Sequence, residues 1–287
     1  MSEPRVSIIT ATLNAEEHLR ETLDTLMRQS LSEWELLIMD AGSTDSTLDI
    51  VASYDRPNIR VFQEPDEGGP QAWDRGIDRA CGDFVMLLCA SDGFLYDTYI
   101  TECVEILDAD PEVSLVRGIP VKVDEDGTNP QPFGIHPASI ERYQKRDWLL
   151  LWLATGMDFP DFNMCVRRPV LRTCMTPYRP GTRIVDKYQE FLYNFNTRGY
   201  LPYGLTTMPV YSREHADRLS NDPSLLATHK LAVSDYVRRS KRYRRQLEAG
   251  ALTHYFRDGA GQVIGQLESA SGIPNIADFN LTRPGQE

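Results

Sequence analysis

Polar residues gather at the ends of short apolar runs in the first third of this chain. Thr10, Thr12 and Asn14 follow the run that begins at Val6, Asp40 follows Glu35 to Met39, and Ser91 and Asp92 follow Phe84 to Leu88. In open α/β sheets ligands sit beyond the carboxyl ends of the strands, so three such ends mark a candidate site. Carboxylates after the second and fourth strands fit a pocket that holds a nucleotide base at one end and a metal-bound diphosphate at the other. Each residue also has a structural reading: Asn14 and Asp45 as helix caps, Asp40 as a turn former, Asp92 before Gly93 as an Asp-Gly turn. The coincidence of several strand ends favours the site.

The elements that must position these residues follow from periodicity. Val6 to Thr10 reads as a buried strand, and Leu19, Leu23, Leu26 and Met27 recur at helical spacing over Glu16 to Gln29. Ser43 or Asp45 can cap the next helix, which carries Leu48, Ile50 and Val51; Ile59 to Phe62 is a third strand, Gln71 to Ala80 a helix, and Phe84 to Leu88 a fourth strand. Strands alternating with helices predict a Rossmann-like half domain. After about Pro111 the alternation weakens. A Pro- and Gly-rich section spans Asp124 to Pro137, Trp148 to Leu153 is an apolar helix, and Asp186 to Arg198 another, with Phe191, Leu192 and Phe195 on its apolar face. Helices are expected from about Leu226, with a frayed end over Thr282 to Glu287.

Composition narrows the classes. The 287 residues suffice for one large α/β domain or two small ones, and 30 basic against 42 acidic residues give a net charge of -12. That balance disfavours a nucleic-acid binder with a broad cationic face. No apolar run reaches the roughly 18 residues of a membrane span, and Met1 to Arg5 lacks the apolar stretch of a signal peptide, so the expectation is a cytoplasmic protein. The five cysteines, Cys81, Cys89, Cys103, Cys165 and Cys174, form no CxxC pair and read as reduced thiols. No GxGxxG follows the first strand, which excludes a dinucleotide-binding domain. Between Lys230 and Arg245 seven bases face one acid, Asp235. Two explanations stand for that stretch: contact with an anionic membrane surface, or a solvated helix whose apolar face packs on the main domain, the second being favoured.

Val6-Ser7-Ile8-Ile9-Thr10-Ala11-Thr12-Leu13-Asn14 and Trp34 to Asp45, ending Asp40-Ala41-Gly42-Ser43-Thr44-Asp45, resemble the opening of family 2 glycosyltransferases. So do Glu64-Pro65-Asp66-Glu67-Gly68, Ala72 to Ile77 and Ala80-Cys81-Gly82-Asp83. The match is dense over about residues 4 to 110 and patchy to about residue 220. The resemblance implies a GT-A fold: a Rossmann-like nucleotide-binding half with a mixed central sheet flanked by helices, plus a C-terminal helical extension. Residues 1–115 would bind the nucleotide sugar, 116–225 the acceptor, and 226–287 form the extension and tail.

The resemblance also implies roles. Thr10, Thr12 and Asn14 would line the nucleotide pocket, Asp40 would hydrogen-bond the base, and Asp66 and Gly68 would lie along the nucleoside and diphosphate, with Arg75 on the donor side. Ser91-Asp92 would occupy the place of the DxD metal motif, with Ala90 where its first carboxylate often stands and Gly93 where a further Asp is common. Asp92 alone remains, which still serves Mn²⁺ or Mg²⁺ when substrate phosphates and water complete the shell. The catalytic base would be Asp186 or Glu190, four apart on one helix face. Asp158 to Asp161 with Arg167-Arg168 resembles an acceptor-side segment, with Asp161 where His is usual. Tyr211 to Ser220 resembles a loop over the donor, in which His215 would touch the metal or diphosphate and Arg213 or Arg218 would add charge-assisted hydrogen bonds.

The function expected is inverting transfer of a sugar from a nucleotide diphosphate to a hydroxyl of a glycan or lipid-linked glycan, in surface polysaccharide or glycoconjugate synthesis, possible at the inner membrane face through 230–247. Two rivals stand beside it. A sugar nucleotidyltransferase is disfavoured, because no Gly-rich loop with a following Arg and Lys ends the first strand. A degenerate sugar-nucleotide-binding or scaffold module is motivated by Ala90 and Gly93.

Overall fold

The computed structural model describes residues 3–132, 140–141, 143–155, 164–215 and 223–267. The first half contains β1 (Val6–Thr12), α1 (Glu16–Met27), β2 (Trp34–Asp40), α2 (Thr47–Ala52), β3 (Ile59–Gln63), α3 (Gly69–Arg79), β4 (Phe84–Leu87), β5 (Gly93–Phe94) and α4 (Tyr99–Ala109). Next come β6 (Val113–Arg117), β7 (Pro120–Val123), β8 (Gln131–Pro132), α5 (Lys145–Thr155), β9 (Cys165–Arg167), α6 (Arg168–Cys174) and α7 (Ile184–Arg198). The remainder is β10 (Leu201–Gly204), β11 (Val210–Arg213), α8 (Pro223–Glu248), β12 (His254–Arg257) and β13 (Val263–Leu267).

Seven strands form the central sheet in the order β10-β6-β9-β4-β1-β2-β3. All neighbours are parallel except β9, which runs antiparallel to β4 and β6. Side chains alternate between two cores. Ile9, Leu37, Met39 and Val85 pack under Trp73 and Ile77 of α3 and Phe191 and Phe195 of α7. Ile8, Leu36, Ile38 and Met86 pack under Leu19, Leu23 and Leu26 of α1 and Ile100 and Leu107 of α4. Both faces are covered, which is why the strand sequences read as continuous apolar runs: all seven residues of β2 are buried.

A second sheet, β5-β11-β7-β8, stands beyond the carboxyl end of β4. The chain passes from β4 through Cys89 to Asp92 into β5, and β11 pairs with β5 as Val210 with Phe94 and Tyr211 with Gly93. Its strands β7, β8 and β11, with β6, β9 and β10 of the central sheet, lie in the stretch where the sequence alternation fades. The C-terminal part corrects an expectation: one long helix, α8, is followed by the β12–β13 hairpin rather than by further helices. Ala232, Tyr236, Ser240 and Leu247 form the buried seam of α8, and the Tyr236 hydroxyl accepts from Trp152 Nε1 at 2.8 Å. The helix therefore packs on the main domain, as the favoured of the two readings had it. The expected frayed end over Thr282 to Glu287 lies outside the described residues.

Candidate functional site

The ends of β1 and β2 are tied into one unit. Asp40 is 1% exposed, and its carboxylate takes four donors: the Thr12 hydroxyl at 2.9 Å, the Ser43 hydroxyl at 2.5 Å, and the backbone N–H groups of Gly42 and Ser43 at 3.0 and 2.9 Å. Burial pushes the Asp40 carboxyl up, but the donors from Ser43, Thr12 and Gly42 outweigh it and hold it below the ordinary value. Asp40 is thus the anchor of the β2–α2 loop. Its four acceptor positions are spent there, so the group offered outward at this edge is the loop itself, with exposed Asn14 beside it. Thr10 is fully buried and its hydroxyl has no partner among the described residues.

Asn14 does not cap α1. Its left-handed φ of 50° turns the side chain to the neighbouring loop, where Oδ1 accepts the Thr44 N–H at 2.9 Å, while its own N–H donates to Ser43 Oγ at 2.9 Å. The cap of α1 comes from across the site: Asp45 Oδ2 accepts the Glu16 N–H at 3.1 Å and Thr47 Oγ1 accepts the Ala15 N–H at 2.7 Å. Asp45 Oδ1 also accepts the Thr47 N–H, and Glu16 returns a carboxylate to the Ser46 N–H. Two helix N-termini therefore cap each other, and their amide ends converge on this edge.

The loop after β3 joins the same edge, since the Glu64 N–H donates to the Asp40 carbonyl at 2.9 Å. Asp66 Oδ1 accepts the Gly68 N–H at 2.8 Å, and Gly68 opens α3 with φ of 110°, a left-handed turn that favours glycine. Arg75 donates to the Pro65 carbonyl at 2.9 Å and lies 3.7 Å from Glu64, so it braces this loop from behind. The start of α7 packs here too: a Cβ on Gly69 would lie 3.1 Å from Ile184 Cδ1, and the Tyr178 hydroxyl donates to Glu67.

At the end of β4 the structure gathers Ser91, Asp92 and His215. Asp92 is 4% exposed and accepts from the Ser212 hydroxyl at 3.2 Å and the Arg213 N–H at 3.4 Å, both long. His215, two residues beyond β11, places Nε2 at 3.3 Å from Ser91 Oγ. His18 of α1 completes the patch, its ring centroid 5.0 Å from that of His215 and its buried Nε2 without a partner among the described residues. The glycine in place of a further acid has a steric reason: a Cβ on Gly93 would lie 2.6 Å from the Tyr211 hydroxyl and 2.7 Å from Tyr211 Cζ. Tyr211 in turn donates to Glu21 at 3.0 Å, and Arg213 is paired with Glu21 at 2.6 Å, which locks β11 to α1. Among the described residues no group of three or more His, Cys, Asp or Glu is placed to hold a metal ion. Asp92 and His215 would leave most of the shell of such an ion to phosphate and water.

The two candidate bases are both engaged. Asp186 forms a bidentate ion pair with Arg183, 2.6 Å on each side, within a capping box at the start of α7. Glu190 accepts from the Thr176 hydroxyl. Between them Lys187, whose side chain is fully buried, pairs with Asp74 of α3 and donates to the Thr176 carbonyl. Sequence reading passed over this pair; its signal was a lysine four residues before Phe191 on the apolar face. Arg167 and Arg168 belong to the framework, not to an acceptor surface: Arg167 donates to the Val113 carbonyl at 2.8 Å and Arg168 to the Ala80 carbonyl at 3.1 Å. Asp158, Asp161 and Arg218 lie outside the described residues.

A mixed central sheet covered by helices on both faces, with a smaller sheet following β4, is the architecture of the GT-A class of glycosyltransferase fold. The pattern of glycosyl transferase family 2 matches residues 7–175, and the chain belongs to that family. It is 40% identical over 101 residues to a PGL/p-HBAD biosynthesis glycosyltransferase of Mycobacterium bovis (strain BCG / Pasteur 1173P2), a stretch that is 34% of this chain and 39% of that relative. The matched stretch thus spans about two fifths of the curated relative's length. Among solved structures it is similar to residues 1–349 of S. aureus TarS in complex with UDP-GlcNAc, with TM-score 0.60 and 15% identity over 84% of this chain and 70% of that one. It is also similar to the mannosyltransferase PcManGT of Pyrobaculum calidifontis in complex with GDP-Man and Mn2+, with TM-score 0.57 and 18% identity over 83% and 65% of the two chains. At these identities the structural likeness speaks for the fold.

Proposed function

We propose that this chain transfers a sugar, with inversion, from a nucleotide diphosphate to a hydroxyl of a glycan or lipid-linked glycan, in the synthesis of a surface polysaccharide or another glycoconjugate. The observation that carries this reading is the meeting of two polar clusters at one sheet edge. The loops joined by Asn14, Ser43 and Asp40 suit a nucleoside, and Asp92 with Ser91 and His215 suits a diphosphate and its cation. Residues 1–115 would supply the donor half and 116–225 the acceptor half.

Asp92 and His215 would hold Mn²⁺ or Mg²⁺ together with the donor. The ion supplies charge neutralisation on the departing nucleotide diphosphate. The remaining work falls to the chain. Gly68, with its φ of 110°, lets the backbone approach the nucleoside closely. Asp186, at the start of α7, would take the acceptor proton once the acceptor displaces Arg183 from one of its oxygens, with Glu190 as the second candidate.

A second reading, a module that binds a sugar nucleotide without transferring it, draws support from one observation: both acids of α7 are already partnered. The first experiment addresses what the two readings share. Thermal stability against UDP, GDP, CDP and dTDP, with and without Mn²⁺, should single out one nucleotide, because a ligand at about 100 times its Kd adds roughly 2.7 kcal/mol. Failure of all four to raise the melting temperature would remove both readings.

A further inference from the structure

We propose that the outward face of α8 docks this protein on an anionic phospholipid surface. The proposal deepens the transferase reading and rests on it for its purpose, contact with a lipid-linked acceptor. The helix sorts its bases between two tasks. Arg239 stacks on Tyr193, 3.9 Å from the ring centroid, and Arg244 donates to the Ala154 carbonyl at 2.6 Å and pairs with Glu248, so both are tethers to the protein. Leu231, Ser234, Arg238, Lys241, Arg242 and Arg245 fall at intervals of three and four on the opposite face and are all exposed.

Arg238 pairs with its neighbour Asp235, whereas Lys241, Arg242 and Arg245 make no ion pair among the described residues. In a protein of net charge -12, these three cations along one line form no ion pair among the described residues. At 1.5 Å per residue the row runs about 21 Å. A flat anionic sheet can meet every member of such a row at once while the acidic remainder of the molecule points away.

One further observation favours lipid. Leu231 opens the row and is 68% exposed, an apolar side chain ready to enter a headgroup layer.

The test uses the full chain and vesicles of phosphatidylcholine with or without phosphatidylglycerol, at low salt. Wild type should sediment with the phosphatidylglycerol vesicles only. The combined variant Arg238→Gln, Lys241→Gln, Arg242→Gln, Arg245→Gln should lose about 100-fold or more in partitioning, each basic side chain near the surface adding on the order of fivefold. A control with the same charge change elsewhere, Arg20→Gln, Arg28→Gln, Arg56→Gln, Arg172→Gln, should partition within a few-fold of wild type. If wild type ignores the anionic vesicles, or the two quadruple variants behave alike, the proposal is wrong. Nucleotide-dependent thermal stabilisation measured on the same samples reports on the transferase reading separately.

Discussion

Asp40 carries four donors on one carboxylate, so changing it acts on two loops at once. Asp40→Asn keeps the shape but turns one acceptor oxygen into a donor facing the Thr12 and Ser43 hydroxyls. We expect a loss of about 1 to 3 kcal/mol in urea unfolding, the range for a buried polar group left unpaired. The pH dependence follows from its depressed pKa. The stabilisation is complete above the unfolded value near 3.8 and fades as pH falls through the lower folded value, and Asp40→Asn should remove that acid-side slope. For the base, Asp186→Asn should lower the transfer rate by about 10² or more while nucleotide affinity stays within about threefold. Glu190→Gln is the matched comparison, and a large loss there alone would move the role to Glu190. The residue types at the strand ends were legible in the sequence because strand periodicity stops where they stand. Their partners were not: nothing local in the sequence says that Asp45 caps a helix that starts 29 positions earlier, or that Arg183 occupies Asp186.

Elements that bury a repeating face were readable, and elements set by long-range pairing were not. The strands β1 to β4 and the helices between them have apolar repeats long enough to set their type, and the expected bounds fall within a few residues of those found. The strands β9 and β5 have three and two residues, too short for any period, and exist because β4, β6 and β11 hold them. Gly93 illustrates the difference. In the sequence it looks like a missing acid, whereas in the fold it is the seat of the Tyr211 ring. Gly93→Ala should therefore cost about 1 to 3 kcal/mol through overpacking, measured by chemical denaturation. An unchanged midpoint would mean that Tyr211 is free to move aside.

At the scale of the whole molecule, the C-terminal hairpin and α8 close one end of the domain through a buried imidazole. Burial, with the charge of Arg257 adding to it, pushes His254 down to about 4, and its ring sits 3.0 Å from the Tyr243 hydroxyl. The unfolded chain, with an ordinary His pKa of about 6.5, binds a proton that the folded chain refuses. Stability should thus fall as pH drops from about 6.5 toward 4, by on the order of 3 kcal/mol, and His254→Leu should flatten that window in a melting-temperature profile. The other end of the domain carries the central claim, that the edge of β1, β2 and β4 binds a sugar nucleotide and its cation for transfer. The measurement that tests it most directly is release of free nucleotide diphosphate from the preferred sugar nucleotide, with Mn²⁺, by wild type and by Asp92→Asn. We expect slow release by wild type that needs the ion, and none by Asp92→Asn with its melting temperature retained. Release by Asp92→Asn at the wild-type rate and with the same Mn²⁺ dependence would contradict the assignment of the site.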